Sequence, residues 1–418
     1  MVECRVYSNG FIKVSKYMPD CLSDKPASSG RTLPLPDATS QAVSERLIRQ
    51  IKRTIEKGNG AIPFDRFMEM ALYAPGLGYY VAGSRKFGEQ GDFITAPEVS
   101  PLFAQCLARQ IEPVLAEIGS GDVLEFGAGS GVLAADLLAE LEQLGRVPHR
   151  YQILELSPEL KARQREMLKA RVPHLLHRVN WLDTMPNGIQ GVVIANELLD
   201  AMPVCRFRIN NAAVEECFVI CDEDQLREHF DSPTTPGLES AVKDIFRTGG
   251  DLPSGYISEI NLRQTAWVSA LAMAMDLGVA ILIDYGYSRA EYYHPQRNRG
   301  TLMCHYRHRA HSDPFRWIGL QDITSQVDFT ALTRDAVEAG FSLGGYTTQA
   351  HFLIANGLDS LLAESDPNNL SRHISLVQGV KRLTLPTEMG ERFKVLGLLK
   401  GLDINLQGFS LRDFCERL

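Results

Sequence analysis

No Cys-x-x-Cys pair occurs among the eight cysteines of this 418-residue chain, at positions 4, 21, 106, 205, 217, 221, 304 and 415, which excludes a zinc ribbon and a thioredoxin-like redox pair. Their scatter fits reduced thiols in a cytosol-like compartment. Cys217 and Cys221, four apart among apolar residues, read as small buried hydrophobes. A basic excess is lacking too: 43 Lys and Arg stand against 51 Asp and Glu, a net charge of −8 that gives no general attraction to phosphate backbones, so nucleic acid is not the expected partner. The longest apolar stretch, Trp267 to Ile283, is broken by Ser269, Asp276 and Gly278 and falls short of a membrane span. Residues 1 to 40 lack the apolar run of a signal peptide, and Glu3, Asp20 and Asp24 are unusual for an acid-poor mitochondrial presequence. The expected compartment is therefore a bacterial cytoplasm, with the mitochondrial matrix second. No repeat of fixed period is evident.

What is present is ordinary globular composition, 44% hydrophobic and 22% charged, in a chain long enough for one large core with additions or for two domains. Ser23 to Ser40 is rich in Pro, Ser, Asp and Thr and cannot offset its ordering entropy, so residues 1 to 40 are read as a tail. Val43, Leu47, Ile48 and Ile51 then mark a helix ended by Gly58-Asn59-Gly60, and Phe64, Phe67, Met68 and Leu72 mark a second, begun near Pro63. With the segment up to residue 116 these form an N-terminal helical cap and covering loop.

Strand-helix alternation follows. Val123 to Phe126, Tyr151 to Leu156, Val179 to Leu182, Gly191 to Ala195 and Val279 to Ile283 read as strands; Val132 to Leu144, Pro158 to Ala170 and Ile260 to Leu277 read as helices. Nearly continuous apolar strands between helices predict a mostly parallel sheet covered on both faces, an α/β Rossmann-like core spanning 117 to 358. Residues 205 to 255 are too long for a crossover and are read as an insertion between strands four and five. Phe341 to Leu343 and Gln349 to Leu353, separated by Gly344-Gly345, suggest a terminal hairpin, leaving 359 to 418 as a C-terminal extension.

The sharpest motif is Glu125-Phe126-Gly127-Ala128-Gly129-Ser130-Gly131 between the first strand and its helix. Glycines there let backbone N–H groups approach a ligand at a helix N-terminus. The spacing is G-x-G-x-G with Val132 next, not the dinucleotide G-x-G-x-x-G, and favours a nucleoside over a pyrophosphate. An ordinary tight turn is the bland alternative. Glu155, at the end of the second strand and followed by Leu156, can accept both hydroxyls of a ribose, and Asp183 after the third strand can accept from an adenine amino group. Alone, either acid would be a solvated strand end. Asn196-Glu197-Leu198-Leu199-Asp200 follows the fourth strand at the ligand-binding edge; a helical turn there would put Glu197 and Asp200 on one face, a pair able to clamp a cation, whereas Asn196 as a mere helix cap is the alternative. Gly91 to Glu98, including Thr95, reads from composition as a loop. His305, His308 and His311 are interleaved with Arg307 and Arg309, which disfavour a metal, so no metal site is expected and His308 is taken as an acid, base or donor.

These residues resemble the methyltransferase family that includes the mitochondrial complex I assembly arginine methyltransferase and its bacterial relatives. The resemblance takes in Gly78-Tyr79-Tyr80, Gly91 to Glu98, Glu125 to Gly131, Glu155 to Pro158, Ala195-Asn196-Glu197, Asp284-Tyr285-Gly286, Arg307-His308-Arg309, Gln321-Asp322-Ile323-Thr324 and Gln349 to Leu353. It implies a class I methyltransferase fold with a seven-stranded sheet and S-adenosylmethionine as cofactor. It places Gly127, Gly129 and Gly131 at the cofactor, Glu155 at its ribose and Gly91 to Glu98 over the site, and implies symmetric dimethylation of arginine on a protein such as a complex I subunit. A guanidinium is a poor nucleophile until oriented and relieved of a proton; Glu197 is the first choice for that carboxylate, then Asp200 and Asp284. A cofactor-binding assembly factor without transfer chemistry and a nicotinamide-dependent oxidoreductase are the alternatives.

Overall fold

The apolar runs become the centre of one sheet. A computed structural model of the chain describes residues 33–82, 95–249, 252–366 and 368–418. Seven strands of its central sheet are labelled in chain order: β1 Asp122–Phe126, β2 Tyr151–Leu154, β3 Val179–Leu182, β4 Ile189–Asn196, β5 Met275–Tyr287, β6 Ser342–Thr348 and β7 Phe393–Lys400. They lie in the order β3-β2-β1-β4-β5-β7-β6. The pairs from β3 to β5 are parallel, and β7 runs antiparallel to both its neighbours. A two-residue strand, Val327–Asp328, joins beside Gly286 and Tyr287, making eight strands where the sequence suggests seven.

Val192 to Ala195 and Val279 to Ile283 are buried throughout because both sheet faces are covered. On one face lie helices Pro101–Ile118, Val132–Gln143 and Pro158–Arg171; on the other lie Gln264–Ala274 and Phe329–Glu338. The cap begins earlier than expected: Asp37 accepts from the Ser40 amide at 2.9 Å and starts helix α1, Ala38–Lys57, inside the stretch read as a tail. Helix α2, Phe64–Tyr73, buries Phe64, Phe67, Met68 and Leu72 as its pattern predicts.

The insertion forms a sheet of its own, with strands Cys205–Asn210, Ala213–Asp222, Gln225–Asp231 and Ile257–Ile260, and Ala61–Pro63 of the cap pairs with its second strand. Three other expectations are corrected. The stretch Ile260 to Leu277 is not one helix: Ile260 ends a strand, the helix spans Gln264–Ala274, and Met275 already opens β5. The terminal hairpin does not form. Thr348 accepts from the His351 amide and caps helix Gln349–Ala355, while Gly344-Gly345 marks a register shift within β6. The partner of β6 is β7, from the region read as a C-terminal extension. Its run Val395 to Leu399 is as apolar as β5, which it pairs over eight residues, so the core reaches beyond 358.

Leu396 is fully buried between Leu282 and Tyr346. Leu396→Ala is expected to cost roughly 2–5 kcal/mol in urea denaturation, the range for large-to-small core truncations; a loss below about 1 kcal/mol, the size of a surface effect, would show β7 to be peripheral.

Candidate functional site

Four strands deliver their carboxyl ends to one edge. Phe126 is level with Leu154 and with Ala195, and Asn196 with Ile283, so Gly127, Glu155, Glu197 and Asp284 follow side by side. Backbone bonds continue past the strands: the Gly127 amide donates to Leu154 at 2.9 Å, that of Glu155 to Leu182 at 3.2 Å and that of Glu197 to Ile283 at 2.9 Å.

The glycine turn leaves β1 with φ of +60°, +52° and +84° at Gly127, Gly129 and Gly131, conformations that strain side-chain-bearing residues. A Cβ placed on Gly127 would meet no atom within 4 Å among the described residues, so the turn is open there. Glu125, before it, is sealed in: the Tyr151 hydroxyl donates to it at 2.6 Å, and burial pushes its carboxyl up to about 7. Its place is beneath the turn. Glu155 is buried yet oriented, accepting from the Ser157 amide at 2.9 Å and from Gln164 Nε2 at 3.0 Å. The same Gln164 nitrogen donates to the Gly129 carbonyl at 3.1 Å, and Trp181 Nε1 donates to Gln164 Oε1 at 2.9 Å. Gln164 thus ties the turn to the acid at the end of β2, a role no sequence spacing announces. Leu156, beside this buried acid, is 61% exposed, unusual for leucine unless something covers it. Asp183 lies in solvent, ion-paired with Lys161.

A second group gathers at β4 and β5. Residues 197 to 200 form no helical turn, so the shared helix face and the capping role of Asn196 both fall away. Instead Asp284 Oδ2 accepts from the amides of Leu199 (2.9 Å) and Asp200 (3.2 Å), and its Oδ1 accepts from that of Tyr285 (2.9 Å). Asp284 therefore holds the chain at this bend, with both oxygens occupied. Glu197 sits in the left-handed region at φ +53°, a conformation costing on the order of 1 kcal/mol or more. Its half-buried carboxyl accepts from Asn196 Nδ2 at 3.3 Å and from the Ala96 amide, the first residue of the short helix Ala96–Val99 that Thr95 precedes. Burial first, then the Asp200 charge, pushes it up to about 8. Asp200 accepts from the Tyr285 hydroxyl through one oxygen. Burial raises the carboxyls of Asp200 and Asp284, and their mutual repulsion adds to it for Asp284.

Residues without an assigned role complete the group. Gly78 permits a tight fold-back after α2, since a Cβ there would lie 2.5 Å from the Ala74 nitrogen. The turn sets Tyr80 against Tyr73, rings stacked at 5.5 Å, and the Tyr80 hydroxyl donates to Asp322. Gly91 lies outside the described residues. His308 occupies, with Arg307, the exposed two-residue turn of the hairpin Met303–Tyr306/Arg309–His311, whose first strand pairs with the strand that carries Asp322.

Comparison with known proteins agrees with this geometry. A family described as "Putative S-adenosyl-L-methionine-dependent methyltransferase" matches residues 106–347. A solved structure from Burkholderia thailandensis, bound to S-adenosyl-homocysteine, is similar at 43% identity and TM-score 0.89, over 93% of this chain and 100% of that one. The human "Protein arginine methyltransferase NDUFAF7, mitochondrial" is 30% identical over 82% of this chain and 81% of its own, and that of Danio rerio 28% over 93% and 92%.

Glu197 generates a pH prediction. In the unfolded chain its carboxyl ionises near 4.5, in the folded protein near 8, so stability falls as pH rises between those values. Urea denaturation at both pH values should show Glu197→Gln gaining on the wild type by roughly 4–5 kcal/mol toward the alkaline end. Parallel pH profiles would mean that Glu197 ionises normally in the fold.

Proposed function

Because this chain belongs to the S-adenosyl-L-methionine-dependent methyltransferase family, we propose that it methylates an arginine of a partner protein, with Glu197 as the catalytic carboxylate. The observation that carries this reading is the position of Glu197, at the end of β4, beside the nucleoside end formed by Gly127 and Glu155. The open turn, the oriented buried Glu155 and the exposed Leu156 fit the cofactor. Gly127, Gly129 and Gly131 would face it with backbone, Glu155 would accept its ribose hydroxyls, Leu156 would cover the adenine and Asp183 would accept from the adenine amino group. Thr95 and Asn196 would border its amino-acid end. S-adenosylmethionine, when bound, supplies an electrophilic methyl group.

Glu197 would hold the guanidinium plane by paired N–H donation and take up the proton released from the attacking nitrogen. Burial keeps this carboxyl protonated near neutrality; an arriving guanidinium favours its ionised form and readies it as a base. Asp284 would act by fixing the bend that carries Glu197, not by touching the acceptor. Symmetric dimethylarginine as product and a respiratory complex I subunit as partner complete the proposal; the relatives named as protein arginine methyltransferases support its arginine acceptor. Those relatives are named as mitochondrial. The higher identity to the Burkholderia protein supports a bacterial source for this chain, and the bacterial cytoplasm is the compartment proposed.

The test combines calorimetry with methyl transfer into an extract from cells lacking the protein, followed by amino-acid analysis. Glu155→Ala should weaken S-adenosylmethionine binding at least about tenfold. Glu197→Gln should leave binding intact and lower methylarginine formation by roughly 10²–10⁴-fold. Cofactor binding with no methylated product in the wild type would favour an assembly factor without transfer chemistry. Loss of binding and turnover together in Glu197→Gln would make that residue structural.

A further inference from the structure

Asp322 has no role in the reading above, yet the chain takes it to the carboxylate group. It opens the strand Asp322–Thr324, paired with Met303–Tyr306, and five residues later Val327 pairs with Gly286 of β5. Between these, the Ser325 amide donates to the Asp200 carbonyl at 3.0 Å. The segment is thereby fastened to the bend that carries Glu197 and Asp200.

The Asp322 residue is only 3% exposed, and the Tyr80 hydroxyl lies 2.9 and 3.0 Å from its two carboxylate oxygens. Tyr80 is itself braced, stacked on Tyr73, whose hydroxyl donates to the Ala201 carbonyl at 2.9 Å. Burial first, and then the charges of Asp322 and Asp200, hold the hydroxyls of Tyr73 and Tyr80 in their protonated, donating form. Asp200 supplies the independent observation. It is 4% exposed, Tyr285 donates to one of its oxygens, and the other, Oδ1, is buried with no hydrogen-bond partner among the described residues. A buried carboxylate oxygen without a donor is costly, so an open one at this edge asks for a donor from a ligand. Two carboxylates steadied by tyrosine hydroxyls suit a planar cation with several N–H groups.

We propose that Asp322, positioned by Tyr80, and the open oxygen of Asp200 hold the cationic side chain of the methyl acceptor and set the preference for arginine over a neutral side chain of the same shape. This rests on the arginine methyltransferase reading. Asp322 is the specificity-determining residue, and Tyr80 is a positioning residue acting through it.

The experiment titrates protein saturated with S-adenosylhomocysteine with N-acetyl-arginine amide and with its neutral isostere, N-acetyl-citrulline amide. Wild type should favour arginine by about tenfold or more, the equivalent of one charge-assisted pair. Asp322→Asn should reduce that preference to within about threefold while S-adenosylhomocysteine affinity stays unchanged, and Tyr80→Phe should fall between. Undiminished discrimination in Asp322→Asn, equal binding of both probes by wild type, or a matching loss of S-adenosylhomocysteine affinity each overturns the proposal. Should Asp322→Asn fail to fold, Tyr80→Phe decides, undiminished discrimination again refuting it. A parallel methyl-transfer assay separates the two readings. Charge discrimination without methylarginine would refute the arginine reading alone; methylarginine formed by Asp322→Asn at unchanged KM would refute this one alone.

Discussion

The carboxylate of Asp284 joins the ends of β4 and β5, and the site is built on that junction. A buried carboxylate is tolerable only when its oxygens are supplied with donors, and here the amides of Leu199, Asp200 and Tyr285 supply them. Those bonds give the chain after β4 a fixed bend in place of a helical turn. The bend holds Glu197 in a strained backbone conformation and turns Asp200 toward Tyr285. The charge of Asp200 then raises the proton affinity of Glu197 and of Asp284 on top of the effect of burial. An edge of this kind is poor in solvation and rich in acceptors, and it gains most from a ligand that brings positive charge and N–H groups.

The other half of the site comes from outside the central sheet. The turn after α2 presents Tyr73 and Tyr80, and it is held by more than its own helix. Ala61–Pro63 is hydrogen-bonded into the sheet of the insertion, and Arg263, just beyond the insertion's last strand, bridges Asp65 at 3.0 Å and Glu69 at 3.1 Å on α2. Cap and insertion therefore behave as one support, although the whole of the first four strands separates them in sequence. The apolar cluster shared by Ile51, Phe67, Met68, Cys217, Val219 and Ile323 brings the Asp322 strand into the same support.

Much of the sheet was legible because parallel strands buried on both faces write themselves as short apolar runs: Val179 to Leu182 is β3 residue for residue, and Val192 to Ile194 lies within β4. The glycine turn and Glu155 were legible because their chemistry is local to a strand end. What was not legible depends on partners remote in sequence. Phe393–Lys400 is as apolar as any other strand, but nothing local says that it slots between β5 and β6, and Gly344-Gly345 imitates a hairpin turn when no distant partner is known. Asp284 reads equally well as a base or as a brace until the amides it accepts are seen. Gln164 and Asp322 carry no spacing signal, since each acts across a gap that only folding closes.

The place of β7 bears on how this protein comes into being in a cell. The strand filling the gap between β5 and β6 is made more than a hundred residues after β5, so β1 to β6 must all leave the ribosome while the sheet still has an unfilled interior slot. Unpaired edges of that kind invite association with other nascent chains, and pairing so remote in sequence is slow to nucleate. A truncated chain stopping short of residue 393 would contain every acidic residue of the site and still present the wrong strand as a neighbour for β5. Synthesis itself therefore keeps the site from maturing until the residues of β7 have been made.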